Sequence, residues 1–164
     1  SGVEFIAVDQ HTHRVDLMSK IIGPSATLLT GDARERPWGN RFFDRVLLDA
    51  PCSGLGALRR RPEARWRKTK KQTLELTELQ EELLFAAIDS TRVGGIIAYV
   101  TCSPYSEETW AVVEGVLRAR TNVQLEDARS LFPGVSNLGE GPCVQLWPHV
   151  HATDAMFFAL LRRV

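Results

Sequence analysis

The sequence predicts an α/β fold: a parallel or mostly parallel β-sheet covered on both faces by helices. Strand-like and helix-like patterns alternate along the chain, and the strand-like segments are near-continuous apolar runs, as strands buried on both faces are. Size agrees. A chain of 164 residues, 44% of them hydrophobic, can bury one real core but not comfortably two, so a single domain over 1–164 is expected.

Val3 to Val8 is a short run rich in β-branched and aromatic residues, ending at Asp9, and reads as the first strand. His11 to Ile22 places Val15, Met18 and Ile22 at helical spacing, and Gly23-Pro24 stops it. Ala26 to Leu29 is a second strand, ending at Gly31-Asp32, and Asp44 to Asp49 a third. After an irregular stretch, Leu76, Leu79, Leu83, Leu84 and Ile88 mark one helix face, which Gly94-Gly95 is expected to close. Ile96 to Thr101 is a fourth strand. Ser106-Glu-Glu is expected to begin a helix, with an N-cap residue and acids in its first turn. Met156 to Leu161 is the closing strand.

In parallel sheets ligands bind outside the carboxyl ends of the strands. Here those ends carry Asp9, Asp32, Asp49 to Cys52 and Thr101 to Ser103, which should converge on one edge. Asp9, just past an early strand, suits ribose hydroxyls, and Asp32 suits an adenine amine. Either alone reads equally as a turn or N-cap residue; together they suggest a nucleoside-containing cofactor. A Gly-rich loop would be expected some 20 residues before Asp9, where this sequence has no room for one.

Three cysteines do not make a disulfide framework, and no apolar run is long enough to cross a bilayer, so reduced thiols in a cytoplasmic setting are expected. Cys143 reads as a small core residue. Cys52 and Cys102 each lie on the turn that leaves a strand. Cys102 is the better nucleophile candidate, because a helix beginning at Ser106 would favour its thiolate. Cys52 precedes Ser53-Gly-Leu-Gly56, a flexible turn that would let backbone approach a ligand. A zinc site built from Cys52, Cys102, Cys143, His149 and His151 lacks any paired Cys-x-x-Cys or His-x-x-x-His unit, and the absence of Cys-x-x-Cys also argues against a redox pair.

Net charge is zero, but eight of the thirteen residues from Arg59 to Lys71 are basic, around Trp66. Such a run is often only a solvated surface. Its place directly after the Cys52 loop favours RNA: Arg59, Arg60, Arg61, Arg65, Arg67 and Lys68 on phosphates, with Trp66 either stacked on a base or packed beneath the loop.

Together, Asp49-Ala-Pro-Cys52-Ser-Gly-Leu-Gly56 and Thr101-Cys102-Ser103 resemble the signatures of RNA cytosine-5 methyltransferases. The likeness continues through Arg59 to Trp66 (Arg-Arg-x-Pro-x-x-x-Trp), Leu79-Gln80 to Gly94-Gly95, and Leu146 to His149 with Thr153 to Phe158. Within that family the chain is most similar to the bacterial Sun/Fmu branch, which acts on small-subunit ribosomal RNA. The resemblance implies a Rossmann-like, class I S-adenosylmethionine-dependent sheet and an enzyme in which Cys102 attacks C6 of cytosine. Asp49 would assist at N3 and also border the cofactor, Asp9 would hold the ribose, Asp32 the adenine, and Cys52 would help release the product. No metal is implied. Sister enzymes acting on transfer RNA share both cysteines, and a non-catalytic RNA-binding piece is the rival from another class.

The resemblance also implies a preceding strand and cofactor loop between the Asp9 and Asp49 strands. The expectation is therefore a fragment truncated at its N-terminus, inactive alone, poor at binding cofactor and prone to pair its open edges with a second copy. Ala155 stands where the family usually has glycine, which leaves the local turn open.

Overall fold

The computed structural model describes residues 2–63 and 70–164, in two compact units, Ser1–Phe42 and Phe43–Val164. In the first unit, β1 (Ile6–Asp9) and β2 (Thr27–Thr30) pair in parallel, Ile6 opposite Thr27 through Asp9 opposite Thr30. The connecting helix α1 (Thr12–Ile22) ends at Gly23, whose φ of +61° turns the chain and whose N–H is donated to the Ser19 carbonyl. These bounds lie within about three residues of those read from the apolar pattern.

The second unit contains β3 (Phe43–Asp49), α2 (Lys70–Ser90), β4 (Thr91–Thr101), α3 (Trp110–Ala119), β5 (Val123–Glu126), β6 (Val144–Leu146), α4 (Pro148–His151) and β7 (Met156–Arg163). Its sheet runs β3-β4-β7-β5, with β6 also on β7. The core forms where α2 and α3 cover this sheet: Leu84, Ile88, Ile97, Tyr99, Val112, Val113, Val116, Ala159 and Leu161 are fully buried. Burying one such leucine or isoleucine contributes about 2 kcal/mol. Leu83, Leu84 and Ile88 of the expected face are buried, while Leu76 and Leu79 are half-buried. None of the described helices is long and apolar enough to cross a membrane.

Three features depart from the sequence expectations. The sheet is mixed: β3 and β4 are parallel, but β7 is antiparallel to β4, β5 and β6. The link from β6 to β7 holds only the single turn α4, too short for the crossover a parallel neighbour needs. Gly94-Gly95 does not close α2, which ends at Ser90, but sits inside β4. There the register jumps from Phe43 opposite Thr91 to Arg45 opposite Ile96, and Gly94 adopts φ +82°. A Cβ on Gly95 would lie 2.9 Å from the Arg92 carbonyl oxygen and 3.0 Å from that of Asp44, so this irregular stretch of β4 requires glycine. Finally, Ser106–Glu108 forms a 3-10 turn, and the α-helix begins at Trp110.

Candidate active site

Parallel pairing brings the carboxyl ends of β3 and β4 side by side. Asp49 lies opposite Val100, and the Ala50 N–H is donated to the Val100 carbonyl over 2.9 Å. Two or three residues beyond this register, the turns deliver Cys52 and Cys102, whose sulfurs are 3.3 Å apart, both half-buried. Fifty residues of sequence separation thus collapse into one hydrogen-bond length.

The hydrogen bond from the Cys52 thiol is the largest influence on Cys102 and pulls its pKa down to about 7; burial and the nearby charges of Asp49 and Asp154 act the other way. The same bond, with burial, pushes the Cys52 thiol up. The expected aid from a helix starting at Ser106 is absent, because α3 begins four residues later; the neighbouring thiol supplies the lowering instead. Below about pH 7 Cys102 is protonated, and above it the nucleophilic thiolate predominates. Iodoacetamide labelling of Cys102 should therefore climb with pH through a midpoint near 7. In Cys52→Ala the midpoint should move upward, and one that stayed near 7 would rule out the hydrogen bond as the cause.

Glu108, fully buried, links the two thiol turns from beneath. Its Oε1 accepts the Ser53 N–H at 2.6 Å, and its Oε2 accepts the hydroxyls of Ser53 and Ser103, each at 2.5 Å. Its carbonyl oxygen accepts from Tyr99 Oη at 2.9 Å and Thr101 Oγ1 at 3.2 Å. Gln80 of α2 donates to the Pro51 carbonyl at 2.8 Å. Sequence reasoning read Glu108 only as a helix N-terminal acid. Sequence spacing did not reveal this, because Glu108 lies in the 3-10 turn before α3 and the non-helical Thr109 breaks the helical period to Val112 and Val116.

Gly56 joins three segments. Its N–H is donated to the Cys102 carbonyl at 2.9 Å, and its own carbonyl accepts the Ala155 N–H at 3.0 Å. The glycine-containing turn was expected to let backbone approach a ligand; at Gly56 it lets backbone approach the chain itself. Ala155 fits at the mouth of β7 without a positive φ, which settles the turn left open by its substitution for glycine. Beside it, Asp154 is almost fully buried and ion-paired with Arg60, whose Nε lies 2.9 Å from Oδ2. That guanidinium holds the Asp154 carboxyl below the usual range. Arg60, expected on RNA phosphate, pairs with Asp154 while its side chain stays 65% exposed, and Arg59 and Arg61 are exposed beside it. Arg65, Trp66, Arg67 and Lys68 lie outside the described residues.

Asp49 ends β3 with its side chain exposed. In the first unit, Asp9 is the last residue of β1 and Asp32 lies two residues past the end of its partner β2. Asp9 accepts the His11 N–H at 2.8 Å and the Arg14 guanidinium at 3.5 Å. Burial raises its carboxyl, but these contacts outweigh it and leave the pKa lowered. Asp32 accepts the Arg34 N–H at 2.9 Å and its guanidinium at 2.6 Å, which lowers the carboxyl in turn. Both aspartates keep about a fifth of their side-chain surface open, at 24% and 20%. The expected set is therefore seen as two groups, Asp9 with Asp32 and Asp49 with the thiols, each within its own unit.

Among the described residues no three His, Cys, Asp or Glu side chains gather as a metal centre needs. Cys143 is buried near Val144, its thiol pushed up to about 11 by burial, and His151 spends both ring nitrogens on the Trp147 N–H and the Ser136 carbonyl.

The family described as 16S rRNA methyltransferase RsmB/F matches residues 2–162. A candidate methyltransferase of Mycobacterium tuberculosis is 53% identical over 160 residues, covering 96% of this chain and 35% of that protein. Ribosomal RNA small subunit methyltransferase B of Escherichia coli is 35% identical over 164 residues, covering 96% of this chain and 36% of the relative. The chain thus spans about a third of the length of these relatives. Among solved structures, NSun6 from Pyrococcus horikoshii, determined with SFG, an S-adenosylmethionine analogue, superposes with a TM-score of 0.85 at 33% identity, over 98% of this chain and 41% of that one. The α/β fold is that of Rossmann-like S-adenosylmethionine-dependent methyltransferases.

Proposed function

The chain belongs to the 16S rRNA methyltransferase RsmB/F family, and on that premise we propose that it serves methyl transfer from S-adenosylmethionine to C5 of a cytosine in RNA, with small-subunit ribosomal RNA as substrate. The observation that carries this reading is the pair of sulfurs 3.3 Å apart at adjoining strand ends, one thiol acidified by the other.

Cytosine C5 is a weak nucleophile. Addition of the Cys102 thiolate to C6 forms an S–C6 bond and shifts the C5=C6 electron pair toward C5, which becomes enamine-like. N3 takes up a proton from solvent as the thiolate adds, and Asp49, exposed at the end of β3, accepts the resulting N3–H and so eases that addition. The target base must be unpaired or flipped out to reach the thiols. When bound, S-adenosylmethionine supplies the methyl group that C5 takes up. Loss of the C5 proton to solvent then restores the C5=C6 bond and expels Cys102 as the thiolate, and the Cys52 thiol assists this release by donating a hydrogen bond to the departing sulfur.

Asp9 and Asp32 suit the cofactor by their chemistry. Both are partly open carboxylates at adjacent strand ends, acceptors for ribose hydroxyls and for an adenine amine respectively. Arg59 and Arg61, exposed just after the Cys52 turn, are the RNA contacts among the described basic residues. Arg60, also exposed although paired with Asp154, is a third.

Incubating the full-length protein with S-adenosylmethionine labelled on its methyl group and with 16S ribosomal RNA tests the proposal. Label should enter RNA, and bisulfite sequencing should place it at cytosine C5. Label on another base or atom would overturn the chemistry, and label only in transfer RNA would overturn the substrate.

A further inference from the structure

The two thiol turns share one buried anchor. Ser53 directly follows Cys52, Ser103 directly follows Cys102, and both hydroxyls end on Oε2 of Glu108, 3.4 Å from each other. Oε1 holds the backbone of the first turn through the Ser53 N–H. Glu108 itself cannot drift. Its carbonyl is bonded to Tyr99 and Thr101 of β4, and its residue is fully buried. A carboxylate is the one common side chain that can accept from three donors at once at this reach. With Glu108 fully buried, water does not compete for these bonds.

We propose that Glu108 is a positioning residue for the thiol pair: by bonding both residues that follow the cysteines, it sets the distance between the two sulfurs. The inference rests on the proposed function for its catalytic meaning, since a reaction that makes a bond with one thiol and needs the second for release requires fixed spacing. The spacing itself is measurable without RNA or cofactor.

Diamide, a two-electron oxidant, converts neighbouring thiols to a disulfide. The S–S bond forms, each thiol gives up its hydrogen, and diamide takes both up as the hydrazine. The limiting rate of Cys52–Cys102 closure at high pH, where it no longer rises with pH in each variant, reports their approach in the full-length protein. Glu108→Ala should close about tenfold more slowly. Glu108→Gln should fall between it and wild type, because the serine hydroxyls can turn to accept from the amide. Ser103→Ala, which removes one strut, should slow closure about threefold. Leu84→Ala, a core truncation on α2, should lower the melting temperature yet leave closure within about twofold, separating positioning from general loss of stability. Should Glu108→Ala not fold, the Gln and Ser103 variants decide. Closure at the wild-type rate in the folded variants overturns the proposal. The same variants should lose kcat for methyl transfer with cofactor affinity unchanged. If wild type does not methylate cytosine, the proposed function falls while the oxidation rates still judge Glu108.

Discussion

Cys102→Ala should abolish methyl transfer, by roughly a thousandfold or more, because the thiol that bonds C6 is gone and Cys52 serves release rather than attack. Cys52→Ala should behave differently. Its first step survives, since Cys102 is present, but release loses its partner thiol, so protein should accumulate on RNA as an adduct that survives denaturing gel electrophoresis. Removing Cys52 also removes the hydrogen bond that acidifies Cys102. Adduct formation should therefore be slow at pH 6.5 and recover toward pH 8.5, where more Cys102 is thiolate. An adduct from Cys102→Ala, with activity retained, would reverse the two assignments.

Gly56→Ala should be the most damaging single change that touches neither thiol. A Cβ there would overlap the Ala155 carbonyl oxygen and lie 2.8 Å from the Cys102 carbonyl carbon and oxygen. All of these are backbone atoms and cannot swing aside, so the Cys52 turn, the Cys102 turn or the mouth of β7 must move. Overpacking of this kind costs about 1–3 kcal/mol, and the hydrogen bonds to Cys102 and Ala155 that stretch with it cost about 1 kcal/mol each. We expect about 3 kcal/mol of lost stability by denaturant titration. Methyl transfer should fall at least about a hundredfold, since a displacement of an ångström in a reacting geometry has that effect. Gly54→Asn is the matched control: Gly54 has φ +72° with nothing within 4 Å of a built Cβ, a conformation asparagine tolerates. Equal stability and activity of Gly56→Ala and Gly54→Asn would show that the close approach at Gly56 does not govern the thiol geometry.

Much of this was legible in the chain. Local apolar periodicity located β1, α1, β2, β3, α2 and the ends of β4 and β7, because each buries a continuous face and the pattern is printed within one segment. The short strands β5 and β6 were not legible: Val-Gln-Leu-Glu and Val-Gln-Leu alternate over too few residues to stand apart from loop. The antiparallel course of β7 was hidden as well, since strand direction follows from the connections rather than from the strand's own residues.

By itself, then, the sequence determined that two thiols lie just past two strand ends, because strand ends and turn residues are local facts. Only tertiary structure decided that those ends are neighbours, in a register that brings the sulfurs to 3.3 Å, that Glu108 turns inward to hold both turns, and that Arg60 is tied to Asp154 across 94 positions. Each of these depends on which distant segments share the core, a choice made by packing the whole sheet against α2 and α3 and recorded at no single position.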